Sequence, residues 1–521
     1  MNIISDSIGS YIDNAFDKFK NKEALIYVDD ERHYTYEELK IKVDMVAYNL
    51  ISISIKKGDH VALFSYNSPE WMIVFLAVLK IGAVLVCLNY ASTEEELDYL
   101  LKKSDSTILI TSNEDTIEKI NFDKFTYINT IIQMDSLFNL DNIMPQYKNK
   151  VSKDEFLSVT DSVLGNNIAM IINTSGTTGK PKLAIFSHSA ILNGVLSYAE
   201  NYSYTSKDKI LDALPLHHIL GGNYTAFLGL LIGCTVVLIK NFKTSVVLET
   251  IQNKRCTGFH GVPTMYQYLL SKCDLYDLSS LRVGMITGAV ASQTLIKSIM
   301  ENMHIREICY TFGQTETLGV TQTIIYNKNS PKLSTVGKPV KHVEVKVCDQ
   351  ITGERIPVNK KGEIYVKSPY CMTGYYNNAL ATRETIIDGW VRTGDIGFID
   401  NDGYLSIKGR LKDVIVRGGE NIFPMDIEIN LIKHPKIENA IVVGIPDETL
   451  GEEVFIFIKV KKYCMLTKEE VLNFLSGRIS KYKFPKYIEF IDTFPLTSTG
   501  KIKRSMLKQI AIERTILNKV Y

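Results

Sequence analysis

An apolar run at residues 167–172 (NIAMII) empties into residues 174–182, TSGTTGKPK, and Ser187 then stands where a helix cap belongs, ahead of AILNGVLSY. A buried strand that feeds such a loop constrains the chain strongly. The glycines let backbone N–H groups converge, the hydroxyls add donors, and Lys180 and Lys182 add positive charge, a composition suited to wrapping phosphates. It is not a Walker loop, because Thr174 occupies the first glycine's place and Pro181 follows Lys180. No GxGxxG dinucleotide pattern occurs either. Read alone, the stretch fits a flexible surface turn as well as it fits a phosphate cradle.

The surrounding pattern predicts an α/β fold. HYTYEELKIKVDMVAYNLI reads as a strand entering an amphipathic helix, and KKGDHVALFSYNSPEWMIVFLAVLKIGAVLVCLN as turn, strand, helix, Gly82, strand. Such alternation of apolar strands with helices predicts layered, mostly parallel sheets in a large N-terminal domain. Ser92 and Glu95 have capping-box spacing. Residues 121–161 are polar and read as loop. After the phosphate loop the alternation resumes, and Thr174, His217, Gly288 and Gln314 each follow a strand-like run. Loops beyond strand C-termini are where open α/β sheets bind ligands. From about Val336 the texture changes to short strands and turns (VEVKVCD, GEIYVKS, GYLSIKG), a small β-rich subdomain. The tail reads as a small α+β module. The expected organisation is a large domain over 1–408, a hinge at 409–412 and a small mobile domain over 413–521.

Size and charge limit the alternatives. A chain of 521 residues is expected to hold about three or four domain-sized units. Its 59 basic and 58 acidic residues nearly cancel, which removes any global argument for nucleic acid or an anionic membrane. None of the eight cysteines stands in a CxxC pair and several lie in apolar runs, so buried free thiols are expected rather than disulfides or zinc. The apolar run at 226–239 is shorter than the ~18 residues of a membrane span and reads as core. Asp6, Asp13 and Asp17 argue against a secretory or transit segment. A cytoplasmic protein is expected.

Further motifs follow in order: LPLHHILGG (214–222), TGAV (287–290), TFGQTE (311–316), WVRTGDIG (390–397), GRLKDVIVRGGENIFP (409–424) and PLTSTGKIKR (495–504). Each has a bland reading. A histidine before an apolar helix is usually core, Thr315 can cap a helix start, Gly394-Asp395 is a plain turn, RLKD is a solvated charge run, and a lysine in a basic tail is merely solvated. Together, and in this order from about residue 30 to 505, they resemble the acyl-activating (adenylate-forming) enzyme superfamily, most closely its acyl-CoA synthetases.

The resemblance implies ATP, Mg²⁺ and CoA as cofactors and assigns roles to residues. Thr174, Ser175, Gly176, Thr177, Thr178, Gly179, Lys180 and Lys182 hold the phosphates of ATP. Gly288 and Ala289 line the adenine, Phe312 stacks on it, and Gly313 and Gln314 belong to the same nucleotide site. Thr315 bonds the α-phosphate. Glu316 holds Mg²⁺, a role suited to a hard carboxylate oxygen. His218 closes over the substrate carboxylate. Asp395 accepts from the ribose hydroxyls and Arg410 contacts ribose or phosphate. Lys412 is the hinge, and Gly418, Gly419 and Glu420 line the CoA channel. Lys501 is the catalytic lysine, since a positioned ammonium stabilises charge that builds in adenylation. Asp212 lies near the place where amino-acid-activating relatives hold an amine but outside the match, which disfavours an amino acid.

No charged residue stands in the segments that the resemblance implies form the acyl pocket (223–231, 261–265, 285–290 and 319–323), so an aliphatic or fatty acid is expected, although aryl-acid ligases share the RGGE part. Three other readings stay open: a ligase that loads a carrier-protein phosphopantetheine in trans, an oxygen-dependent luciferase-like reaction that nothing specific in the sequence supports, and a catalytically silent nucleotide- or acyl-binding protein. A monomer and a homodimer are both compatible with the sequence.

Overall fold

A computed structural model describes residues 2–112, 120–138, 151–174, 181–497 and 500–520, without side chains for 516–520. The fold is α/β, with two compact units: Met1–Glu344 with Val366–Val391, and Val345–Tyr365 with Arg392–Tyr521.

The first unit holds two large sheets. One runs, by strand, 338–339, 318–325, 307–314, 283–286, 258–261, 209–212, 235–238, 23–27 and 32–35. Its six central strands are parallel and its edges antiparallel. The other runs 374–375, 182–187, 168–174, 84–88, 60–64, 108–111 and 130–133. The expected parallel character follows from continuous apolar strands such as Val84–Leu88, buried at every position. The run at 226–239 is core, as expected, ending in the fully buried strand Thr235–Leu238. No helix among the described residues is long and apolar enough to cross a membrane.

Several local readings change. Residues 175–180 lie outside the described residues, and the strands that flank them, Ile168–Thr174 and Lys182–Ser187, pair antiparallel, so a second strand precedes the helix. Ser187 does cap the helix His188–Ala199, accepting from the N–H of Ala190. The capping box is built by Thr93 and Glu96, one residue on from Ser92 and Glu95. Both spacings occur in STEEE, and the helix takes the one that turns Leu97, Leu100 and Leu101 inward. Residues 121–161 are not all loop: they include the strand Thr130–Gln133 and the helix Lys153–Asp161. The strand pairs in parallel register with Ile108–Thr111. Lys80, only 4% exposed, carries an ammonium 2.6 Å from Asp13 and 2.5 Å from Asp44, which joins the first three helices.

The second unit contains a β-rich part with strands at Glu344–Cys348, Gly362–Lys367, Trp390–Ile399 and Leu405–Arg410. Its other sheet uses 420–422, 415–417, 451–460, 437–447 and 487–490. Helices Pro424–Leu431 and Lys468–Leu475 contribute Ile427, Leu431, Val471 and Leu475 to its core. All eight cysteines are free thiols; six are buried, Cys371 is half-buried and Cys464 is exposed.

Candidate active site

In the first unit, Thr315 and Glu316 sit in a tight connection between antiparallel strands Glu307–Gln314 and Leu318–Ile325, with Gln314 opposite Leu318. Thr315 therefore does not cap a helix. The turn is closed by the Thr317 N–H on the Gln314 carbonyl at 3.2 Å. Leu318 takes a φ of 56°, a left-handed conformation that a buried leucine adopts only when its surroundings impose it. Gly313 is needed for space: a Cβ there would meet the Leu318 carbonyl oxygen at 2.2 Å.

Glu316 is half-buried. The hydroxyl of Tyr375 donates to its Oε1 at 2.8 Å, and the N–H of Met372 donates to its carbonyl at 2.9 Å. Lys182 Nζ lies 4.7 Å from the centre of the Tyr375 ring. Burial, then the carboxylate of Glu316, pushes the phenol's pKa up, so the hydroxyl keeps its proton. Sequence reasoning missed Tyr375. It lies in TGYYNN, and no spacing signal links it to a glutamate 59 residues away.

The other expected residues of this unit lie at strand ends or in the loops after them. Thr174 is buried at the end of its strand. Ser175, Gly176, Thr177, Thr178, Gly179 and Lys180 lie outside the described residues. Gly288 (φ 83°) and Ala289 are exposed just past the strand Val283–Ile286. Phe312, Gly313 and Gln314 are half-buried at the end of the neighbouring strand, where Tyr198 donates its hydroxyl to the Phe312 carbonyl at 3.3 Å. His218 is half-buried and caps a short helix, its Nδ1 accepting from the Leu220 N–H at 3.2 Å. His217 is buried beside Tyr90, and burial lowers its pKa to about 4. Asp212 is fully buried, and burial raises its pKa well above the ordinary carboxylate value.

The second unit brings Asp395, Arg410 and Lys501 into mutual electrostatic range. Asp395 is buried and Arg410 exposed, with Arg410 Nε 3.1 Å from Asp395 Oδ1. The Thr393 hydroxyl, itself bonded to the Ile364 carbonyl, takes the Asp395 N–H at 3.0 Å. Lys501 stands in a turn closed by Thr497, which accepts the Lys501 N–H on Oγ1 at 3.0 Å and donates its own N–H to the Lys501 carbonyl at 2.7 Å. Burial first and Arg410 second, opposed by Asp395, lower the Lys501 pKa to about 8. Lys412 is exposed in the short helical turn Leu411–Asp413.

Gly418 and Gly419, with φ of 58° and 85°, form the two-residue turn between strands Ile415–Arg417 and Glu420–Ile422. Positive φ at both positions is what such a hairpin demands. Arg417 fixes its base through Glu453 at 2.9 Å and the Tyr482 carbonyl at 2.8 Å.

Glu316, the residue expected to hold Mg²⁺, presents a half-buried carboxylate whose Oε1 is engaged by the Tyr375 hydroxyl. Among the described residues no cluster of three or more His, Cys, Asp or Glu side chains is arranged to hold a metal. A single carboxylate, with the remaining positions left to phosphates and water, is an ordinary way to bind this ion.

A profile of the family "AMP-binding enzyme" matches residues 12–376, and one of "AMP-binding enzyme C-terminal domain" matches 426–501. YngI of Bacillus subtilis (strain 168) is 33% identical, over 98% of both chains. The medium-chain acyl-CoA ligase ACSF2, mitochondrial, of Mus musculus is 31% identical, over 97% of this chain and 88% of its own. The solved O-succinylbenzoate coenzyme A synthetase (MenE) of Bacillus subtilis, in complex with AMP, is 28% identical with a TM-score of 0.82, over 97% of this chain and 98% of its own.

Proposed function

The chain belongs to the AMP-binding enzymes and is an ATP-dependent, AMP-forming carboxylate–CoA ligase, and we propose that the acid it activates is aliphatic, of the fatty class. The observation that carries this reading is the absence of charge from segments 223–231, 261–265, 285–290 and 319–323, where Tyr224, Phe227, Leu228, Leu231 and Met265 are all buried. A second carboxylate or an ammonium on the substrate requires a counter-charge or strong hydrogen bonds once desolvated, whereas an apolar tail does not. Burial raises the pKa of Asp212 well above the ordinary carboxylate value, which makes it a poor counter-charge for an amine.

In the first half-reaction a carboxylate oxygen of the acid attacks the α-phosphorus of ATP, and the bond to pyrophosphate breaks. Phosphoryl transfer of this kind depends on positioning and charge stabilisation. Thr174 to Gly179 with Lys180 and Lys182 hold the phosphates, and Gly288, Ala289, Phe312, Gly313 and Gln314 hold the adenine. Asp395 orients the ribose and Arg410 supports it. Thr315 donates to the α-phosphate, His218 sits over the substrate carboxylate, and the Lys501 ammonium stabilises the charge between them. Mg²⁺, when bound, offsets charge on the transferring phosphates, and Glu316 holds it.

In the second half-reaction the segment after residues 409–412 rotates about Lys412, withdraws Lys501 and brings Gly418, Gly419 and Glu420 to the channel for CoA. The CoA sulfur attacks the acyl carbon and AMP leaves. Switching by a hinge lets one cleft serve two chemistries. Free buried thiols support a reducing, cytoplasmic setting.

The test is incubation with Mg·ATP, CoA and a panel of short-, medium- and long-chain acids, aromatic acids and dicarboxylates, with acyl-AMP, acyl-CoA and AMP followed by mass spectrometry. Turnover confined to aliphatic acids supports the reading, and turnover confined to aromatic acids or dicarboxylates overturns it.

A further inference from the structure

Glu316 is held from two points by one short segment. The Met372 N–H takes its backbone carbonyl at 2.9 Å and the Tyr375 hydroxyl takes its carboxylate Oε1 at 2.8 Å. That segment is rigid for reasons independent of Glu316. Tyr375 is 6% exposed and pairs with Ala184, and its own N–H bonds Thr382 Oγ1 at 2.9 Å. On either side of it, the Thr373 N–H reaches the Ile185 carbonyl at 3.0 Å and the Tyr376 N–H the Leu183 carbonyl at 2.7 Å.

The strand register explains why Lys182 joins this group. Tyr375 lies opposite Ala184, so Lys182, two residues away on the same strand, shares its face at the diagonal position. Lys182 is also the cross-strand partner of Thr174, so it stands where the strand pair meets residues 175–180. Its ammonium over the ring favours a donating phenol, because a cation on the π-face draws electron density from the ring. Lys182, Tyr375 and Glu316 thus form one chain of contacts from the phosphate loop to the acidic turn.

We infer that Tyr375 is a positioning residue for the carboxylate of Glu316: its hydroxyl engages Oε1, fixes the plane of the group and turns Oε2 toward an Mg²⁺ ion carried by ATP. Among the described residues no side chain donates to Oε2. A carboxylate fixed in this way loses less freedom when it binds an ion than one that must first find its orientation. A purely structural reading also exists, in which the phenol merely satisfies itself on the nearest acceptor, so the test must separate the two. The inference rests on the ATP-dependent ligase reading above.

The experiment uses the purified full chain and Mg²⁺-dependent binding of ATP, with no acid present, measured by calorimetry for wild type, Tyr375→Phe, Glu316→Gln and the double variant. Tyr375→Phe is expected to raise the Mg²⁺ concentration for half-saturation by roughly tenfold or more, the size of effect expected for a lost hydrogen bond to a charged group. In the Glu316→Gln background the same change should add nothing, because the ligand it orients is already gone. Melting temperature should fall by a few degrees at most, and acyl-CoA formation from supplied acyl-AMP and CoA should fall less than Mg²⁺-dependent ATP binding, since that step does not draw on the ion. Wild-type Mg²⁺ dependence in Tyr375→Phe overturns the inference, as does an equal loss in both half-reactions or a full additional loss in the double variant. Tyr375→His, which keeps a ring N–H, is the second arm: better Mg²⁺ binding than Tyr375→Leu supports positioning by a donor, and equal binding overturns it. Wild-type protein that binds no ATP with Mg²⁺ would overturn the ligase reading instead.

Discussion

Arg410 and Asp395 face each other across antiparallel strands, joined by Nε and Oδ1 at 3.1 Å. The carboxylate is buried and the guanidinium exposed, so the arginine neutralises from the solvent side a charge that burial alone would disfavour. The next step of the ladder is irregular: register shifts between Ile396 and Gly397, where a Cβ would meet the Ser406 carbonyl at 2.4 Å. A bulge of this kind aims a side chain at a chosen place.

Asp395→Asn keeps the shape and removes the charge. Its expected effect is a KM for ATP raised roughly 10- to 100-fold, the factor that corresponds to ~1.5–3 kcal/mol for hydrogen bonds to a charged group. Steady-state kinetics with ATP varied at saturating acid checks this. An unchanged KM with a reduced kcat would contradict a ribose-binding role.

Lys501→Ala removes the ammonium assigned to the charge that builds in adenylation. Removing a single transition-state donor typically lowers kcat by ~10²–10³. The adenylation half-reaction should fall by that order, while acyl-CoA formation from supplied acyl-AMP should persist. Single-turnover assays of each half-reaction decide, and equal loss in both would remove Lys501 from its role.

The Lys501 pKa of about 8 also predicts a pH dependence. The active form is the charged one, present below that value and lost above it. Adenylation should therefore decline as pH rises through about 8, while acyl transfer to CoA should show no such limb from this group. Arg410 is the charged neighbour that lowers the pKa, so Arg410→Gln should move the limb to higher pH. The pH profile of single-turnover adenylation, with and without that change, tests both statements.

Gly419 has no neighbour within 4 Å of an added Cβ, so Gly419→Ala is unfavourable only through its φ of 85°. The left-handed conformation is disfavoured for alanine by ~1–2 kcal/mol. Expected outcomes are a loss of stability of that order in denaturant melts and a thioester half-reaction impaired more than adenylation. The opposite ranking of the two half-reactions would argue against a CoA-channel role for this turn.

What the sequence reveals and what it hides divide along physical lines. Continuous apolar strands and cap residues such as Ser187 are local signals, and they give the α/β architecture. Thr93 and Glu96 show the limit of local reasoning, because Ser92 and Glu95 satisfy the same spacing and only burial of Leu97, Leu100 and Leu101 chooses between them. Strand Thr130–Gln133 is four residues long inside a polar stretch and buries only Ile132, so its apolar pattern is too short to stand out from the loop around it. Of the site, the glycine turns and the acidic TFGQTE motif are legible because each has its own local chemistry. Tyr375 is not, because its meaning comes from Glu316, and Lys80 reads as a surface lysine until Asp13 and Asp44 converge on it.

The free thiols carry a practical consequence. Burial raises the thiol pKa of Cys234, Cys256 and Cys309 to about 12, as it does for half-buried Cys371, and raises Cys87, Cys273 and Cys348 as well. A protonated, enclosed sulfur reacts poorly with maleimides or iodoacetamide. Cys464 alone is exposed, in the segment that precedes the helix Lys468–Leu475. The native chain therefore offers one exposed attachment point for a fluorophore or spin label, located in the unit that carries Lys501, and a distance measurement from it needs one engineered cysteine in the other unit with half-buried Cys371 replaced.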